Sequence, residues 1–116
     1  MAFAVDVHFL IAFLTALCAL VFSWNELGRR VINAVLGLQI LVGLVVLGMH
    51  VRAHEGFHHE LGWHVAGAVA AAACYGAAGA FGRRAGGARA ALAASIAGLL
   101  LVGATIVVGL RMFLHG

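Results

Sequence analysis

The sequence predicts an all-α fold, a four-helix transmembrane bundle, and three observations predict it. Hydrophobic residues make up 65% of the 116 and charged residues 9%, too few polar side chains to clothe a water-soluble domain. No proline is present to interrupt a helix. Four apolar stretches also reach the roughly 20 residues that a helix needs to cross a hydrocarbon core about 30 Å thick. Together they use nearly the whole chain, so residues 1–116 read as one domain and any chemical group must sit inside the bundle or on its rim.

The first stretch, Phe3 to Trp24, lacks a basic start, carries Asp6 and runs longer than the apolar region of a removable leader, so it reads as a retained helix. The second runs from Val31 to Val51, the third from Leu61 to Phe81 and the fourth from Ala90 to Leu110. Arg29 and Arg30 fall between the first and second stretches, and Arg83, Arg84 and Arg89 between the third and fourth. Positive loops are held on the cytoplasmic side. The expected topology is therefore multi-pass in the cell's inner (plasma) membrane, with both termini and the Arg52 to Glu60 connection outside.

All seven histidines, His8, His50, His54, His58, His59, His64 and His115, gather toward the end remote from those five arginines. A histidine at membrane depth is costly and is by default a functional-site hypothesis. His8 and His64 are the two that lie clearly within a span.

These two also anchor an internal repeat. Aligning His8 with His64 aligns Ala12 with Ala68, Ala16 with Ala72 and Cys18 with Cys74. After small shifts Gly28-Arg29-Arg30 matches Gly82-Arg83-Arg84, and Leu41-Val42-Gly43 matches Leu101-Val102-Gly103. The chain thus reads as two repeated helical hairpins, residues 3–51 and 59–114. Two copies inserted the same way up are related by an axis along the membrane normal, which puts His8 and His64 at equal depth, able to face one another.

Facing imidazoles can share one metal ion, and the residues one and two turns below each of them are alanines, which leave a slot for a flat macrocycle. Heme iron takes such axial ligands. The expectation is a b-type heme with His8 and His64 as its iron ligands, Ala12 and Ala68 beside the ring, and Arg52, Arg111 and His50 near its propionates. The alternative is that each histidine hydrogen-bonds to a neighboring helix. Histidine and glutamate in the outer connection form a rival zinc or copper site, in which His54 and His58 would share a face of a helix. Cys18 and Cys74 read as mid-span packing. Gln39, Asn33, Thr15, Ser95 and Thr105 are expected to bond between helices, and Gly37, Gly43, Gly48, Gly98, Gly103 and Gly109 to let helices approach.

Three segments, Val7-His8-Phe9-Leu10-Ile11-Ala12, Leu38-Gln39-Ile40-Leu41-Val42-Gly43-Leu44-Val45-Val46 and Trp63-His64-Val65-Ala66-Gly67-Ala68, resemble the heme A synthase family. Members are built from two four-helix halves, each able to hold a heme between histidines, and the resemblance covers most of this chain as one half. Similar bis-histidine bundles serve as electron-carrying membrane subunits. The family resemblance also implies a glutamate three residues before a heme histidine and a cysteine pair in an outer loop. This chain has Asp6 two residues before His8 and Glu60 four before His64, and its cysteines are mid-span. The bundle and heme carry over better than the oxidation chemistry.

The sequence therefore points to a membrane cytochrome b-like protein relaying electrons with other membrane redox subunits or as a homo-oligomer. A half-size heme A synthase-like enzyme and a heme-free structural or metal-binding subunit are the alternatives. A proton-coupled exporter would place an acid at mid-membrane, and here Asp6 and Glu26 flank the first span. Phosphate loops, nucleophile elbows and dinucleotide fingerprints are absent, and the arginines read as topology, with no nucleic-acid partner.

Overall fold

A computed structural model describes residues 2–54 and 59–115. They form four helices: α1 (Ala2–Phe22), α2 (Glu26–His54), α3 (His59–Gly82) and α4 (Ala88–His115). Helices α2, α3 and α4 exceed their apolar stretches at both ends, where polar flanks such as Glu26, His54, His59 and His115 continue the helix, whereas α1 ends at Phe22, short of the expected Trp24.

Short connections turn the chain at the arginine end. Asn25 opens α2 as an N-cap, its Oδ1 accepting from the Gly28 amide at 2.7 Å. The second turn passes through Gly86 at φ 75°, a left-handed conformation that glycine adopts without a Cβ clash. Both hairpins consequently start at the histidine end and return to it.

Within each hairpin the helices pack closely, α1 on α2 and, more extensively, α3 on α4. The hairpins join through α2 with α3 and α1 with α4. That ring of contacts leaves α1 and α3 on a diagonal, facing each other across the interior. Helices α2, α3 and α4 are long and apolar enough to span a membrane, and the corresponding stretch of α1, Asp6–Phe22, is shorter. Leu10, Phe13, Leu41, Leu100 and many other large apolar side chains face outward. So much contiguous apolar surface suits hydrocarbon and not water.

The packed core lies toward the arginine half. Ala19, Ile32, Leu36, Ala71, Tyr75 and Val102 form its buried cluster. Tyr75, 2% exposed, fits because its partner position on α4 is Gly98, where a Cβ would come within 2.9 Å of the ring. Its hydroxyl lies 3.0 Å from Ser23 Oγ. Arg29 Nε donates to Ser95 Oγ at 2.9 Å and to the Ser23 carbonyl at 3.2 Å, so α1, α2, α3 and α4 are tied together by polar contacts where the helices turn.

The expectation that the mid-span polar residues bond between helices holds for Gln39 and for Ser95, which receives Arg29. It fails for Thr15 and Thr105, whose hydroxyls donate to the Ile11 and Leu101 carbonyls one turn back, each at 2.7 Å. A hydroxyl in an apolar helix finds that acceptor without any neighbor. Asn33 is exposed. Cys18 and Cys74 are free thiols, Cys18 packing against the core cluster.

Tyr75→Ala is expected to destabilize the bundle by about 3 kcal/mol through the void it leaves, and Tyr75→Phe by about 0.6 kcal/mol, the usual worth of one hydrogen bond in a membrane protein. Thermal unfolding in detergent micelles reads both.

Candidate functional site

One residue from each helix closes the core toward the histidine end: Thr15, Leu36, Ala71 and Val102, all buried. They form the floor of a cavity of about 530 Å³ that occupies the histidine half. Its walls are mostly aliphatic, with His8, Gln39, Thr105, His64, His50 and Glu60 as polar groups. A largely apolar recess of this size with a few convergent polar atoms fits a small-molecule or cofactor site, for which about 300–1,000 Å³ is typical.

The repeat placed His8 and His64 at one depth, and the structure brings them together across the diagonal. Their ring centroids are 6.0 Å apart, with the planes at 77°. Imidazole–metal bonds of about 2 Å on each side of one ion would hold two ring centroids about 6 Å apart. Ala12 and Ala68, one turn below the histidines, also line the cavity, so no bulky side chain fills the space beneath either ring.

Glycines on the returning helices make room for both rings. A Cβ on Gly43 would lie 3.1 Å from His8 Cε1, and one on Gly109 would lie 2.9 Å from His64 Cε1. The histidine of each hairpin is thus seated in a notch on its own hairpin partner. This corrects the repeat register: the counterpart of Gly43 is Gly109, since Gly103 is exposed and a Cβ there would meet nothing within 4 Å. Aligned by these notches, Gln39-Ile40-Leu41-Val42-Gly43-Leu44 lies over Thr105-Ile106-Val107-Val108-Gly109-Leu110. Gly37 and Gly48 likewise face open space.

His64 Nδ1 lies 2.9 Å from the Thr105 carbonyl. A carbonyl only accepts, so the hydrogen sits on Nδ1 and the Nε2 lone pair is left for another partner. Histidines that ligate metals are commonly oriented this way by a backbone carbonyl on the other nitrogen. The expected alternative, a bond to a neighboring helix, is therefore realized for His64 in a form that leaves its second nitrogen available. His8 differs: its Nδ1 is buried and unpartnered, as is Gln39 Oε1.

The other proposed contacts are less uniform. His50 lines the cavity, whereas Arg52 and Arg111 lie outside its lining and are exposed. Arg111 stands 3.9 Å from Glu60, which does line it. Both side chains are at least 46% exposed, so the pair is worth little by itself and either partner can be drawn away. Among the described residues no group of three or more histidine, cysteine or acidic side chains is placed to hold a metal ion. The rival site falls on His54, whose side chain is outside the described set, and on residues 55–58, which lie outside it altogether.

No family model, curated protein or solved structure matches the chain.

Replacing Gly109 by valine is expected to push the His64 ring off the Thr105 carbonyl and destabilize the bundle by about 1–3 kcal/mol, the usual toll of overpacking. Gly103→Val, on an open face, should stay within about 0.5 kcal/mol of the parent. The two variants are compared by thermal unfolding in the same micelles.

Proposed function

We propose that the chain is a membrane b-type heme protein that relays electrons, with His8 and His64 as axial ligands of the iron. The observation that carries this reading is the pair of imidazoles 6.0 Å apart on diagonal helices at the wall of a largely apolar cavity. Three further features fit a heme: the alanines beneath the rings, the glycine notches behind them, and the His64 Nδ1 hydrogen bond that frees Nε2. When bound, the heme supplies one-electron ferric–ferrous chemistry, tuned by ligand identity, hydrogen bonding and burial.

The protein's own part is to hold and insulate. Val65, Leu44, Ile106 and Met112 line the cavity with apolar atoms and keep the site poor in water. At the open end His50, Arg111 released from Glu60, and Arg52 on the rim supply partners for carboxylates emerging toward the surface. The resemblance to one half of a heme A synthase agrees with this assignment and rests on the three segments already given. One observation favors the synthase-like reading as a second choice: Glu60 lies in the cavity lining, four residues before His64. Conversion of added heme O to heme A by the purified protein would separate the two.

With the five arginines cytoplasmic, the heme lies near the outer face of the inner membrane. α1, packed along α2, makes a fourth crossing. Electron donors or acceptors are other membrane redox subunits or a second copy of the chain.

The purified protein is expected to show a b-type band in a reduced-minus-oxidized absorption spectrum. His8→Ala and His64→Ala each lose it, and His54→Ala keeps it. A parent protein without the band, or one that loses it only in His54→Ala, overturns the proposal.

A further inference from the structure

The corrected repeat register shows that the two histidines are held differently. On α4, position 105 offers its backbone carbonyl to His64 Nδ1. On α2 the equivalent position is Gln39, four residues before the notch glycine just as Thr105 is four before Gly109. Gln39 is a long polar side chain in an apolar span and only 9% exposed. Its Nε2 donates to the main-chain carbonyl of His8 at 3.0 Å, which fixes the amide beside the very residue whose ring needs orienting.

Two buried atoms are left over at that place. Gln39 Oε1 can only accept, His8 Nδ1 can donate, and neither has a partner. Leaving both unsatisfied in an apolar interior costs the lost hydration of each group with nothing in return. With the Gln39 amide held by the His8 carbonyl, a rotation of the His8 ring that joined the two atoms would remove both penalties at once. With its hydrogen on Nδ1, His8 would keep the Nε2 lone pair free, just as the bond to the Thr105 carbonyl leaves it free in His64.

We infer that Gln39 is the positioning residue of His8: its side-chain oxygen accepts the Nδ1 hydrogen and so reserves Nε2 for the iron. This deepens the heme reading and depends on it only for the identity of the group that Nε2 meets. A hydrogen bond to the distal nitrogen makes an imidazole more basic, and a stronger acceptor stabilizes the ferric state and lowers the reduction potential. The sign of a potential change therefore reports the acceptor at position 39.

The test uses the whole chain in micelles with ¹⁵N-labeled histidine, and reads tautomers by nitrogen NMR, His8 being assigned by the signal lost in His8→Ala. The parent should show His8 with its hydrogen on Nδ1. Gln39→Leu should lose that preference while His64 keeps its own, which certifies a folded bundle. Gln39→Glu should restore it. In heme-loaded protein, Gln39→Leu is expected to raise the midpoint potential and weaken heme retention by about 10–100-fold, and Gln39→Glu to lower the potential below the parent value. An unchanged His8 tautomer in Gln39→Leu, or potentials that move the same way in both variants, overturns the inference. Failure of the heme reading shows separately, as a parent with the expected tautomer and no heme band.

Discussion

The constraint on which the histidine half depends is the seating of two imidazole rings inside a bundle of apolar helices. An imidazole in the interior needs room and needs its nitrogens satisfied. Room comes from Gly43 and Gly109, each behind one ring. The returning helix of the same hairpin satisfies His64 through the Thr105 carbonyl, and beside His8 it places Gln39, whose amide is bonded to the His8 main chain while His8 Nδ1 itself has no partner. Once both rings are seated, the diagonal placement of α1 and α3 turns them toward each other, and the small residues below leave the cavity open.

The two halves of the bundle divide the work. In the arginine half, one buried tyrosine, a set of close-packed aliphatic residues and the Arg29 contacts lock the four helices together. In the histidine half the side chains stand apart. Rigid closure at one end lets the other end keep a cavity without collapse.

Much of this was legible in the sequence, and the reasons differ from residue to residue. The four helices followed from apolar length and the absence of proline. The His8–His64 pairing followed from a repeat in which a histidine deep in a span and one of the two cysteines of the chain recur at one offset. The glycine register was not legible, because Leu-Val-Gly occurs at 41–43 and again at 101–103 while the notch that receives His64 is Gly109. Several glycines along an apolar helix look alike until a neighboring ring selects one. Arg29 was read only as a topology signal, yet it crosses to Ser95. Tyr75, the single tyrosine of the chain, stood alone among alanines, and that isolation was the one signal that could have marked it as the center of the closed half. Hydroxyls that satisfy themselves within their own helix, as Thr15 and Thr105 do, cannot be told from interhelical donors by sequence.

The central claim is that one iron is shared by two protein imidazoles. Electron paramagnetic resonance of the oxidized, purified protein tests this most directly, because two strong-field nitrogen ligands force ferric heme into the low-spin state. The account predicts a low-spin ferric heme signal in the parent that turns high-spin on loss of either His8 or His64. A high-spin signal in the parent, or a low-spin signal that survives both replacements, would contradict it.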